Sequence, residues 1–321
     1  MSSNGPILIG AVIMFLSGAI TSYANILMKL DALALRHEPN PGFIITRRFV
    51  VMAVSLYVIG GLADLVALGL VPLSLRACTS VLTIPFNAVF AKSKLGEAMS
   101  RLQIIGAAIT VFACLVAMLF ASQQTVPDDL VIPRGKVIDD IFSRRVGLFT
   151  LWTVPFAIVC IIIVQRALPR RGTEAVSVKT PGRRLAVLAA STMSTAYQCG
   201  WTNLFIKAIA VLVQEEGWEW KYVIGLALAT GISAIGQMIL MSGMMQLFES
   251  VVVIPPYQIL ITLWIVVFSS VVFRDHPSNL IGFVLSLLFS FFGILLIALS
   301  PSPSPPQSPD REPLVMMTER I

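Results

Sequence analysis

The chain has 321 residues, 56% of them hydrophobic and only 12% charged, with a mean hydropathy of +0.86. A soluble domain carries about 25% charged residues, so a water-soluble globular fold is excluded and an all-α integral membrane protein is expected. The net charge of +6 comes from Lys and Arg at the ends of apolar runs, where they orient a membrane protein rather than bind nucleic acid.

Apolar runs of about 20 residues cross a hydrocarbon core about 30 Å thick. Nine such spans are expected, at Ile7–Met28, Phe49–Leu70, Leu73–Ala91, Leu102–Phe120, Leu148–Leu168, Leu185–Val211, Tyr222–Met241, Val251–Val272 and Leu280–Leu299. The first run is too long for a signal peptide and no basic stretch precedes it, so it reads as a retained helix. Four helices occupy residues 1–122 and five occupy residues 148–300, with an external loop at 123–147 between them. That loop holds the acidic pairs Asp128-Asp129 and Asp139-Asp140, and a further loop holds Glu215, Glu216 and Glu219. Such runs either gather divalent cations at a pore mouth or are plain solvated loop. Residues 301–321 begin Pro-Ser-Pro-Ser-Pro-Pro and read as a disordered tail. Within that tail Asp310–Val315 loosely resembles an acidic dileucine sorting signal.

The loops after the first, third, fifth and seventh spans, with the tail, hold fifteen of the 23 Lys and Arg residues, leaving eight opposite. That bias puts the N-terminus outside or in a lumen and the C-terminus in the cytosol, in a plasma, Golgi or endosomal membrane. It also orients two similar hairpins oppositely. The first runs from Leu73 through the turn Lys92–Glu97 to Phe120, and the second from Glu249 through Arg274-Asp275-His276 to Leu299. A degenerate inverted repeat of four plus five helices is expected.

Polar side chains inside lipid are costly, so their spacing carries information. Ser17, Thr21, Asn25 and Lys29 share one helical face, as do Arg76, Ser80, Thr83 and Asn87. So do Ser191, Thr195, Gln198 and Thr202, then Thr230, Ser233 and Gln237, then Gln258 and Thr262. Hydroxyls alone fit close helix packing, worth about 0.6 kcal/mol each. The amides of Asn25, Asn87, Gln198, Gln237 and Gln258 need several partners, which points to a shared polar cavity lined by five helices.

Asp64 is the acid set well inside a span. It suits a cation ligand or coupling group, or an ion pair with Arg76 across a short turn. Arg76 and Lys207 each read two ways, as a cavity charge for an anion or a gate, or as an anchor snorkelling to the outer interface. Pro255-Pro256 withdraws backbone donors near the start of the eighth span, as at binding sites or as a helix starter. Cys78, Cys114, Cys160 and Cys199 all lie in apolar runs, and His37 and His276 are the two histidines. No disulfide framework, cofactor site, Cys/His metal cluster, P-loop or membrane-depth catalytic acid pair is therefore expected, and the chain does not read as an enzyme.

Pro72-Leu-Ser-Leu, Ala88-Val-Phe-Ala, Leu95-Gly-Glu97 and Ile105-Gly106 resemble the third-to-fourth-helix block of NIPA-type magnesium transporters, of the drug/metabolite transporter superfamily. The likeness continues through Gln237, Phe248, Pro255, Tyr257, Arg274-Asp275 and Ile281-Gly282. Gly61 stands where that family has Glu, and Asp64 where it has Asn, which moves the acid three residues along one helical face. The resemblance implies a transporter of Mg²⁺ or a related divalent cation, with Mg²⁺ as substrate and not as cofactor. Asp64 would be the metal ligand, and Asn25, Asn87, Gln198, Gln237 and Gln258 the neutral oxygen ligands. A metabolite or nucleotide-sugar exchanger of the same superfamily, using Arg76 or Lys207, is the alternative, and a non-transporting receptor or scaffold is another. The expected partners are the lipid bilayer and a small ion or solute, with a homodimer left open.

Overall fold

The structure, a computed structural model, describes residues 4–37, 48–70, 76, 81, 83–97, 100–122, 139, 141, 143–167, 181–214, 220–273 and 279–299. Among these residues it is helical almost throughout. The helices are α1 (Asn4–His37), α2 (Arg48–Leu70), α3 (Thr83–Phe90), α4 (Arg101–Ser122), α5 (Arg144–Ala167), α6 (Pro181–Gln214), α7 (Trp220–Leu247), α8 (Ser250–Phe268) and α9 (Leu280–Leu299). A π-helical turn extends α3 over Ala91–Leu95, and another extends α8 over Ser269–Phe273.

Among the described residues, six stretches are long and apolar enough to cross a membrane: Leu8–Leu33, Arg48–Leu70, Arg144–Arg166, Trp220–Leu247, Ser250–Val272 and Leu280–Ile297. The chain is thus a membrane-embedded, multi-pass α-helical protein. α6 falls outside this group for a physical reason. Its 34 residues extend about 51 Å at 1.5 Å per residue, but Ser191, Thr192, Ser194, Thr195 and Asn203 on its buried side lower its hydropathy. The first half of the expected third span, the Arg274–His276 turn, most of the 123–147 loop, the Glu215–Glu219 run and the 301–321 tail lie outside the described residues.

α8 is the central helix, with 83% of its apolar window buried. It packs on α3, α6, α7 and α9. α1 packs on α2, α3 and α7, while α6 packs on α2, α5, α7 and α8. α1 and α2 are antiparallel: Ser17 Oγ donates to the Gly60 carbonyl at 3.1 Å, and Tyr57 donates to Asn25 further along. α4 crosses α9 closely because two glycines meet there. A Cβ on Gly106 would lie 2.5 Å from the Gly293 carbonyl oxygen, and one on Gly293 would lie 2.6 Å from that of Gly106.

One boundary differs from expectation in a way that matters. α1 continues past Met28 to His37, so Lys29, counted among the charges after the first span and also placed on its polar face, is a helix residue only 4% exposed.

Candidate functional site: a polar cavity between the helices

A cavity of about 110 Å³ lies between α1, α2, α3, α6, α7 and α8. Its polar lining is Thr21, Tyr57, Asp64, Arg76, Thr83, Cys199, Thr202, Asn203, Gln237, Tyr257 and Gln258. At roughly 30 Å³ per water, it holds a few water molecules or a solute of similar size. A larger cleft of about 270 Å³ between α6, α8 and α9 is lined by Leu185, Leu188, Leu260, Phe291 and other apolar groups plus Thr192. The Thr192 hydroxyl donates to the Leu188 carbonyl at 2.7 Å, so that cleft has little to offer a polar ligand.

Helical spacing builds the polar lining. Tyr57, Gly61 and Asp64 lie at i, i+4 and i+7 on α2, and Cys199, Thr202, Asn203 and Ile206 repeat the pattern on α6. Gly61 leaves open space beside the acid. Arg76 Nη2 donates to Asp64 Oδ2 at 2.6 Å, with both side chains about nine-tenths buried. Arg76 therefore turns inward, and its reading as a snorkelling anchor is corrected. An inward guanidinium needs a buried counter-charge, and Asp64 supplies it. The second Asp64 oxygen, Oδ1, and Gln258 Oε1 are buried with no hydrogen-bond partner among the described residues. Two acceptors thus face the cavity beside a neutralised ion pair.

Gln237 Nε2 donates to the Tyr257 hydroxyl at 2.6 Å, which orients both toward the cavity. Asn203 Nδ2 donates to the Cys199 carbonyl at 2.8 Å and contacts its Sγ at 3.3 Å.

Four of the sequence-derived candidates lie outside this lining. Asn25 accepts from Tyr57 and sits just behind it. Asn87 accepts from Ser250 Oγ at 3.1 Å, joining α3 to the start of α8. The Gln198 side chain and carbonyl both accept from Ser233 Oγ, joining α6 to α7. Lys207 Nζ donates to the Leu68 carbonyl at 2.7 Å, joining α6 to α2. Tyr57 and Asn203 line the cavity but were not singled out by sequence. The i, i+4, i+7 relation of Tyr57 to Asp64 was the signal that could have found the first.

Below the cavity, Lys29 Nζ donates to the carbonyls of Met245 at 2.7 Å and Phe248 at 2.6 Å. Glu97, in the turn after α3, accepts from the Val251 amide at 3.3 Å. Burial pushes the Glu97 carboxyl above its ordinary value of 4.5, against the pull of Lys29 and the Ser250 and Val251 amides, with Glu249 adding to the rise.

Among the described residues no group of three or more His, Cys, Asp or Glu is placed to hold a metal ion. Comparison of the chain with protein-family models, curated proteins and solved structures gives no match.

Proposed function

We propose that the chain is a membrane transporter working by alternating access, with the cavity at Asp64 as its substrate site. The observation that carries this reading is the cavity itself: charged and amide side chains from several helices converge inside an apolar bundle. Keeping them there costs stability unless they serve a polar passenger. The pairing of helices adds support. Exchanging α1–α4 with α6–α9 turns the α1–α2 contact into α6–α7, α1–α3 into α6–α8, α3–α4 into α8–α9 and α1–α7 into α2–α6. Inverted repeats in transporters relate their halves in this way. In this reading the chain has nine spans, with α5 as the odd helix, an external N-terminus and a cytosolic C-terminus.

Charge balance favours a small polar organic solute as substrate. Asp64 and Arg76 cancel, so a neutral or zwitterionic passenger leaves the cavity neutral. Its donors would meet Asp64 Oδ1 and Gln258 Oε1, and its acceptor or anionic group would meet Arg76. The second reading is Mg²⁺, as the NIPA resemblance implies, and the same two oxygen acceptors favour it. Mg²⁺ keeps several waters and needs only one or two carboxylates. At an effective dielectric of 20, a divalent ion about 4 Å from a carboxylate gains roughly 8 kcal/mol. The adjacent guanidinium, which does not deprotonate, takes back most of that gain. Mg²⁺ binding therefore requires Arg76 to leave Asp64.

Purified protein in liposomes loaded with a Mg²⁺-sensitive dye tests both readings. Saturable Mg²⁺ entry, lost in Asp64→Asn and raised in Arg76→Gln, establishes the cation reading. Exchange of organic solute that needs both residues, without Mg²⁺ entry, establishes the solute reading. No flux of either kind above empty liposomes overturns transport.

A further inference from the structure

We propose that Lys29 and Lys207 are a matched pair of gating residues that close opposite ends of the cavity. The inference rests on the transporter reading and adds the parts that would alternate. The two lysines occupy equivalent positions in a motif of four-residue spacing that α1 and α6 share. Ser17, Thr21, Asn25 and Lys29 recur on α6 as Thr195, Cys199, Asn203 and Lys207, each 178 residues later (195 − 17, and likewise for the rest). The last five residues of each stripe run Asn-Ile-Leu-Met-Lys and Asn-Leu-Phe-Ile-Lys.

Their contacts correspond as well. Lys207 on α6 donates to the Leu68 carbonyl, in the last turn of α2. Lys29 on α1 donates to the Met245 and Phe248 carbonyls, at the C-terminal end of α7. Adding 178 to 68 gives position 246, which lies between those two acceptors. Each lysine thus reaches from the first helix of one half to the end of the second helix of the other. The last carbonyls of a helix lack intrahelical partners and carry partial negative charge, so an ammonium is the natural group to hold them.

The two contacts sit at opposite ends of the bundle. From the Ser17–Gly60 crossing of the antiparallel pair, Lys29 lies twelve residues along α1 and Leu68 eight along α2. At 1.5 Å per residue these are about 18 Å and 12 Å in opposite directions, about 30 Å in total. That is the thickness of the hydrocarbon core. Thr21, Asp64 and Asn203 place the cavity between the two ends. Both contacts are made in this structure, which makes it the state closed at both ends. Releasing Lys29 frees the end of α7 from α1, and releasing Lys207 frees the end of α2 from α6. Each release opens one face. Glu97 and Asn87 brace the first gate by holding the Val251 amide and the Ser250 hydroxyl at the start of α8.

Cys199 lines the cavity and reports on access without any knowledge of the substrate. Full-length protein in sealed vesicles of each orientation is treated with a membrane-impermeant methanethiosulfonate, and modification of Cys199 is followed by peptide mass spectrometry. We expect Lys29→Met to raise Cys199 modification at least fivefold from one face only, and Lys207→Met to do so from the opposite face only. Cys160, buried between α5 and α6, stays unmodified when the fold is intact. Lys29→Gln and Lys207→Gln, which keep a donor without the charge, are measured beside them so that the comparison survives if a Met variant fails to fold. Exposure from the same face, from both faces, or no change in either pair overturns the assignment. Sided opening without flux in liposomes would overturn the transporter reading and leave the gates standing. Flux without sided opening would do the reverse.

Discussion

At the scale of single residues, the Asp64–Arg76 pair dominates the chemistry of the cavity. Both side chains are about nine-tenths buried and 2.6 Å apart. Removing one partner strands the other as an uncompensated buried charge, which costs about 3–5 kcal/mol. Asp64→Asn and Arg76→Gln should each lower stability in detergent by that order, while the double variant loses clearly less than the sum. Denaturation of the four proteins in one cycle checks this, and additive losses would show that the pair is not coupled. Sequence identified both residues and named their pairing as one of two readings for Asp64. It could not say which way Arg76 turns, because one turn from a helix end a guanidinium reaches outward or inward equally well. The position of Asp64 on a neighbouring helix decides.

At the scale of helices, close crossings carry the architecture. α4 and α9 meet where Gly106 and Gly293 face each other's carbonyls. Beside that crossing Thr110 Oγ1 donates to the Ser290 carbonyl at 3.4 Å, and about 16 Å further along α9 Gly282 faces Phe120. Overpacking a tight contact costs about 1–3 kcal/mol. Gly106→Leu or Gly293→Val should therefore lower the melting temperature in detergent by several degrees. Gly231→Ala, with no atom within 4 Å of the added methyl, should leave it unchanged or raise it, since Ala favours helix over Gly. Equal losses at all three positions would mean that the crossing is not tight. In sequence, Ala107, Thr110, Cys114 and Ala117 on the fourth span and Gly282, Ser286, Ser290 and Gly293 on the ninth read as small packing faces, because small residues at helical spacing suit close helix contacts in lipid. Which small residue meets which depends on the crossing point, and one helix read alone does not contain it.

At the scale of the whole molecule, the proposed nine spans, an odd number, would place the two ends of the chain on opposite faces. Epitope tags at the N- and C-termini, probed in sealed vesicles before and after permeabilisation, should show that arrangement. Both tags on one face would sink the nine-span reading. Six of the expected spans are recovered by length and hydropathy. α6 is missed by that measure because the buried hydroxyls of Ser191, Thr192, Ser194 and Thr195, together with Asn203 at the cavity, lower its hydropathy.

Sequence by itself determined the class of molecule, the helical building blocks and the short list of polar residues worth attention. Those features are local: a 20-residue apolar run and a four-residue polar spacing are properties of one segment and its solvent. Tertiary structure alone decided how the list divides. Asp64, Arg76, Gln237 and Gln258 meet at the cavity, Asn87 and Gln198 bind helix to helix, and Asn25 stands behind Tyr57. Lys29, counted in sequence among the orienting charges and also set on the polar face of the first helix, holds the end of a helix more than 200 residues away. A charge at the end of an apolar run has the same local signature whether it faces water or another helix's carbonyls, and only the packing of distant segments distinguishes the two.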